Sequence, residues 1–400
     1  MTLTGAAQSP KALDDLVVLD IADGKGVYCT RLLAGLGAQV IKIEPPSGDP
    51  TRRIGPFYHD SGDPEQSLYF WHYNINKKGI TLSLEHPEGA AIFRRLAARA
   101  DVVIETFLPG YLQEHGLSFP ELHQVNPRLI LTSITGFGQT GPHSGYKTAD
   151  IVGLAMGTQL NLCGFPDRAP VRTGASQGHH QASLHAAAAT LVALLWRDMT
   201  GEGQHVDVSM QEAVAADLQW TMAHYDLKGV IREREGSKLF ACKDGYVRYS
   251  AGRGWDEMVD WMASDGMASD LQEPRWQNVL ERRAGEAHIN DVLAAFLMTL
   301  TKAEIYREAV KRRLAFGPSN TAEELVNDPH LNARHFFVDV EHPELGESFH
   351  YPGPPMRLTE TPWTIEQRAP FLGEHSSEVY AQLLGLTTAE LSRLQQQGVI

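Results

Sequence analysis

The chain has 400 residues, 42% of them hydrophobic and 21% charged, with a formal net charge of −14. That balance argues against nonspecific nucleic-acid binding, which needs a basic face to displace counterions, although a local basic patch still suffices for an anionic small molecule. Three scattered cysteines without a CxxC (Cys29, Cys163, Cys242) argue against a disulfide framework or a zinc site and fit a reducing cytoplasm; no leader pattern is seen, and no apolar run approaches the ~20 residues that span a bilayer.

Residues 16–22 ("LVVLDIA") form a short apolar, β-branched run and read as a buried strand. Residues 26–39 have helical spacing and stop at Gly35 and Gly37. "VIKIEPP" (40–46) is a second strand, stopped by two prolines, which completes a β-α-β unit. The alternation continues with a strand at 79–84, a helix at 87–100, a strand at 101–107 and a strand at 129–138 that runs into a glycine turn. Such alternation predicts a largely parallel sheet with helices on both faces. A helix is expected over 183–197, a strand over 204–210 and a further helix over 211–227.

Composition changes after that. From about 228 to 325, short strands such as "YVRYSA" mix with amphipathic helices. The tail then returns to loops and strands, with a helix pair near 376–397. The fold class expected is α/β, a large Rossmann-like domain with a smaller α+β domain inserted. The boundaries are 1–225, 226–328 for the insertion, and 329–400 for the return segment.

The glycine-rich "DGKG" (23–26) follows the first strand, as a dinucleotide fingerprint would. The fingerprint needs G-x-G-x-x-G, and here no third glycine follows Gly24 and Gly26. The stretch 169–214 holds His179, His180 and His185 at the mouth of an alanine-rich helix. Helical ligands want i,i+4 spacing, whereas His180 and His185 are five apart with no carboxylate or thiol nearby, so no metal site is expected. Trp71, Tyr73 and Phe137 suit a pocket or a core equally well.

Six segments in order resemble the family III CoA-transferases, the CaiB/BaiF family. They are 17–52 ("VVLDIA…CTRLLAGLGAQVIKIEPPSGDPTR"), 74–84 ("NINKKGITLSL"), 101–117 ("DVVIETFLPGYLQEHGL"), 126–142 ("NPRLILTSITGFGQTGP"), 200–214 ("TGEGQHVDVSMQEAV") and 342–386. The resemblance implies binding of CoA thioesters, two protomers interlocked like chain links, and a nucleophilic aspartate that carries the acyl group and then CoA as covalent intermediates. A carboxylate attacking a thioester forms an anhydride and frees CoA thiolate, which splits one hard step into easier ones. A nearby N–H must steady the oxyanion.

The motif departs from the family where it matters most. The aspartate follows a glycine by five residues in the family pattern; here the glycine is Gly174 and the fifth residue is His179. No Asp or Glu lies between Asp167 and Asp198. Histidine cannot form the anhydride, so the transferase step does not carry over to this chain, and His179 occupies the catalytic slot without the aspartate's chemistry. It reads either as a helix-start residue that caps or meets a partner, or as a working base or nucleophile.

Other slots have drifted. Lys25 replaces a glutamine, A-G-P has become Gly26-Val27-Tyr28, Pro45 and Pro46 follow the second strand where arginine is common, Thr106 replaces asparagine, Glu114 a basic residue, and Ala149 a tyrosine beside a retained Asp150. The racemase branch needs a second acid/base at the Ala149 slot and also fails.

For CoA contact the resemblance nominates Lys25, Lys42, Lys77, Lys78, Thr106, Gly136, Phe137, Gly138 and Asp150. Ammonium groups are good phosphate partners, and a glycine turn at a strand's C-terminal end suits a ligand. Lys42 also reads as a surface cation on a strand edge, and Lys77 and Lys78 as a solvated turn.

Three functions follow as expectations. The chain is an aspartate-free subunit of a heteromeric transferase, moving CoA from a donor such as succinyl-CoA to a carboxylic acid such as benzylsuccinate, with an Asp-bearing homologue as partner. Alternatively it is a stand-alone CoA-ester lyase, hydrolase or isomerase that uses His179, as a homodimer. Alternatively it binds acyl-CoA without turnover. CoA is a substrate in each, no cofactor is bound covalently, and neither nucleic acid nor membrane is a partner.

Overall fold

A computed structural model describes residues 10–234, 239–249 and 254–400. β1 (Val17–Ile21), α1 (Val27–Gly35) and β2 (Gln39–Glu44) open the chain, followed by α2 (Leu68–Tyr73), β3 (Lys78–Thr81), α3 (Pro87–Ala97) and β4 (Val102–Glu105). Two short helices, α4 (Tyr111–Glu114) and α5 (Phe119–Val125), lead to β5 (Ile130–Thr135). After α6 (Asp150–Met156) and α7 (Gln159–Leu162) come the long α8 (Gln177–Thr200), β6 (His205–Ser209), α9 (Met210–Ala216) and α10 (Gln219–Lys228).

The six strands form one parallel sheet in the order β3-β2-β1-β4-β5-β6. Strand order reverses between β1 and β4, the place where open α/β sheets hold ligands beyond their carboxyl ends. Side chains alternate across the sheet with period two. Leu19, Ile41, Ile43, Val103 and Leu131 face a core completed by Ile92, Phe93 and Leu96 of α3 and Leu122 of α5. Val18, Val40, Ile104 and Ile130 face the other core, with Leu32 and Leu33 of α1 and Ala182, Ala186 and Ala193 of α8. Small alanines let α8 lie close to the sheet.

The described residues fall into two compact units. One comprises the described residues up to Cys163, with Pro170–Glu233 and Arg334–Ile400; the other comprises Gly164–Ala169 and the described residues between Arg234 and Ala333. The second is a three-stranded antiparallel sheet of β7 (Leu239–Cys242), β8 (Gly245–Tyr249) and β9 (Phe316–Pro318). Its core is filled from α11 (Trp255–Ser264), α13 (Glu286–Leu297) and α14 (Lys302–Arg312), with the smaller α12 (Val279–Ala284), α15 (Ala322–Val326) and α16 (Pro329–Ala333) around them. The second unit takes in the described residues from Arg234 to Ala333, where the sequence suggests an insertion over 226–328. Membership of Gly164–Ala169 has no local signal; the Arg234 guanidinium donates to the carbonyls of Phe165 and Arg168 at 3.0 and 2.9 Å. The return segment adds an antiparallel hairpin of β10 (Phe337–His342) and β11 (Glu347–Pro352), then α17 (Ser376–Leu384) and α18 (Thr388–Gln396).

Two expectations about elements change. The helix expected from 183 starts six residues earlier, at Gln177, because a remote carboxylate satisfies its first N–H groups. The helix expected over 211–227 breaks at Asp217 and Leu218 into α9 and α10. The "YVRYSA" strand is present over its described part, through Tyr249, and its last two residues lie outside the described residues.

Candidate active site

His179 sits in the first turn of α8. The carboxylate that starts this helix comes from Asp150, the first residue of α6. Its Oδ1 accepts the N–H of Gly178 at 2.8 Å and of His179 at 3.2 Å. Two of the four N–H groups a helix start leaves unpaired are thus satisfied from outside. Arg172 donates to Asp150 Oδ2 at 3.1 Å and to the Ala175 carbonyl at 3.2 Å, which fixes the lead-in. Ser183, one turn on, donates to the Lys25 carbonyl at 2.8 Å and ties α8 to the loop after β1.

That loop passes directly under His179. A Cβ placed on Gly24 would stand 4.0 Å from His179 Nδ1 and 3.2 Å from the Tyr69 hydroxyl. Gly26 is enforced by space: a Cβ there would meet Ala22 at 2.8 Å and Thr106 at 2.9 Å. Thr106, just past β4, accepts the Asp23 N–H on its hydroxyl at 2.8 Å, joining β1 and β4 at the switch point.

Neither ring nitrogen of His179 has a hydrogen-bond partner, although both are buried. Burial pushes the imidazole below its ordinary pKa; Asp150 and Asp23 pull it up, and Lys25 and His180 push it down. The ring is therefore neutral at pH 7, and no acceptor orients it. A catalytic histidine is normally aimed by a third group, and none is present here among the described residues. His180 differs, because its Nε2 meets the Tyr73 hydroxyl at 2.6 Å and its ring packs on Tyr28.

The four nominated lysines are all spoken for. Lys42 is fully buried; its ammonium donates to the Ala22 carbonyl and to Asp49 Oδ2 (2.9 Å), with Asp20 at 3.8 Å. It is not a surface cation, because β2 lies between β3 and β1. Lys77 is also fully buried and donates to Asp20, Thr30 and Asn74 at 2.8, 2.8 and 2.9 Å. An ammonium has three N–H donors, so Lys77 has none left for a phosphate. It is not the solvated turn residue the sequence suggests. Lys78 pairs with Glu378 at 2.6 Å, and Lys25 pairs with Asp23.

Burial depresses Lys77 to about 8 despite the pull of Asp20. Burial would depress Lys42 too, but Asp20 and Asp49 together hold it above the usual lysine range. Asp20 resists its own burial through Lys42 and Lys77 and stays below the ordinary carboxylate range. Asp20 went unnominated in the sequence. Only the observed register, which makes Asp20 and Lys42 cross-strand partners, exposes its role.

A cleft of about 480 Å³ opens at the carboxyl ends of β1 to β4, and Thr106 and Phe107 line it. Its charged lining is Asp23, Asp49 and Glu85, with no lysine or arginine. Arg52, two residues past the lining Pro50, is buried against Glu44 and Glu65. An acidic cleft without a free cation fits a multiply charged phosphate ester poorly. The Gly136–Gly138 turn serves its own geometry: a Cβ on Gly136 would strike Thr148 at 2.4 Å, and Gly138, at φ +84°, donates its N–H to Thr135. Phe137 packs edge-on to His143 and Tyr146. The structure thus brings together His179, Asp150, Thr106 and the Asp23–Lys25 loop, and sets Lys42 and Lys77 in the interior.

Among the described residues no helix is long and apolar enough to cross a membrane, and no group of three or more His, Cys, Asp or Glu is placed to hold a metal.

The family model for "CoA-transferase family III" matches residues 13–376. The chain is 37% identical to the succinyl-CoA–D-citramalate CoA-transferase of Chloroflexus aurantiacus, covering 98% of both chains. It is 34% identical to subunit BbsE of the succinyl-CoA:(R)-benzylsuccinate CoA-transferase of Thauera aromatica, covering 96% of this chain and 97% of that one. Among solved structures it superposes on a CaiB/BaiF family protein from Brucella suis with a TM-score of 0.86 at 30% identity, covering 94% of this chain and all of the other.

Proposed function

We propose, for a chain that belongs to CoA-transferase family III, the role of the subunit that lacks the nucleophile in a heteromeric transferase. A homologous partner supplies the aspartate. The complex moves CoA from an acyl-CoA donor such as succinyl-CoA to a carboxylic acid of the kind its relatives accept, benzylsuccinate and citramalate among them.

The observation that carries this reading is the start of α8. Residues 168–197 contain no carboxylate, and the side chain presented in the aspartate slot is an imidazole with no orienting partner. A neutral, unaimed imidazole is a poor substitute for a carboxylate that must form and break an anhydride. The same observation disfavours a stand-alone enzyme that works through His179. The acidic cleft and the four paired lysines favour a second polypeptide as the principal CoA binder.

The partner is supported by surface chemistry. α8 exposes Val192, Leu195, Trp196 and Met199, and α10 exposes Trp220 and Leu227, the last 80% accessible. A soluble chain rarely leaves so large an apolar face to water, and such faces mark protein contacts. A homologous subunit is the occupant we assign, because relatives of this chain are named as subunits of two-component transferases.

The test is co-expression. The purified chain alone should show no CoA transfer from succinyl-CoA, and an Asp-bearing homologue co-expressed with it should form a stable complex that does. A complex that is equally active after this chain is removed contradicts the reading.

A further inference from the structure

A second cavity, of about 160 Å³, lies where β4, β5 and β6 meet the loop before α4 and the start of α5. Glu105 and Ser133 are register partners on β4 and β5, so their side chains share one face of the sheet. That face is the one bearing Leu131 and α5, opposite the face covered by α8. His205 Nε2 meets Ser133 Oγ at 2.9 Å, and Ser133 stands beside Glu105 across the parallel register. Glu105 also accepts the Phe107 N–H at 2.6 Å. Gln139 enters from the turn after β5, and its side-chain amide nitrogen is buried without a partner. Leu108, Leu112 and Phe119 close the cavity with an apolar wall.

These groups define a ligand. The unpaired Gln139 N–H asks for an acceptor, since a buried donor left unmade is costly. Glu105 is almost wholly buried, and burial pushes its carboxyl up to about 7 against the opposing bonds from Ser133 and Phe107 and the attraction of Lys25. A neutral carboxyl is a second donor. Burial also holds His205 below its ordinary value, with Asp207 opposing, so the cavity supplies no full cation for a phosphate. The other charged groups around the pair are Asp23, from the loop after β1, and the His123–Glu202 contact at 3.8 Å beside Phe119.

We propose that this cavity binds a short-chain aliphatic carboxylate, its oxygens accepting from Gln139 and Glu105 and its tail lying against Leu112 and Phe119. The site is independent of the transferase reading, because no group in it touches His179.

The test is titration of the full chain with sodium butyrate by calorimetry at pH 6 and pH 8, with no acyl-CoA present. Butyrate should bind at pH 6 and about tenfold more weakly at pH 8, as Glu105 ionises and repels it. Glu105→Gln, permanently neutral, should bind equally at both pH values. Gln139→Ala should weaken binding at both, and it keeps the test decisive if Glu105→Gln does not fold. No binding at pH 6, a pH slope that persists in Glu105→Gln, unchanged binding in Gln139→Ala, or loss of binding in His179→Ala would each overturn the proposal.

Discussion

Asp150 holds His179 by its main chain and not by its ring: the carboxylate accepts the His179 N–H at 3.2 Å, while both imidazole nitrogens stay unpaired. Asp150 therefore acts as a cap for α8. Asp150→Ala should cost about 1–2 kcal/mol, in the range of a lost helix cap. Amide exchange at Gly178 and His179 should accelerate, and Asp150→Asn should recover part of the loss. Protection unchanged in Asp150→Ala would show that the carboxylate is idle.

The buried Asp20–Lys42–Lys77 cluster makes a second prediction. Removing one member strands the others, so Lys77→Met should cost about 3–5 kcal/mol in denaturant unfolding. Acid should act through Asp20. Its folded pKa lies below the ordinary 3.8, so its stabilising contribution is complete above that value and is lost as pH falls below it. An Asp20→Asn chain should be less stable at neutral pH and should show a flatter loss of stability below pH 4.

Glu105 carries the opposite sign. Its folded pKa, about 7, lies above its ordinary 4.5. The folded state then holds the extra proton between those values, so the contribution is complete below pH 4.5 and is lost as pH rises through 7. Glu105→Gln should remove that slope. Thermal unfolding of both chains from pH 5 to pH 8 checks it; parallel curves would mean that Glu105 is ionised throughout.

The apolar face of α8 should govern association and not folding. Leu195→Glu with Met199→Glu should weaken subunit capture at least tenfold in sedimentation experiments. Both side chains are largely exposed, so stability of the chain itself should change by no more than about 0.5 kcal/mol. Equal capture by the variant would place the interface elsewhere.

The sheet was legible because its strands are short β-branched runs and its helices keep their period. β1, β2, β4 and β5 lie where Val17, Val40, Val102 and Ile130 announce them. The start of α8 was not legible, because its cap is Asp150, far off in sequence. The fate of Lys42 and Lys77 was hidden for a related reason. Lys42, in an apolar strand, reads as an edge residue until the register sets Asp20 beside it, and Lys77 reads as a turn residue until the fold brings Asp20, Thr30 and Asn74 to its ammonium. Glu105 and His205 were missed outright; the available signal was a carboxylate ending a buried strand. The assignment of His179 to the aspartate slot came from the family resemblance, and its unpaired ring was not legible in the sequence.

The most direct measurement is rapid-quench mass spectrometry of both polypeptides after the complex meets succinyl-CoA. The account predicts an acyl or CoA adduct on an aspartate of the partner and none on this chain. An adduct on this chain, at Asp23, His179 or elsewhere, would contradict it.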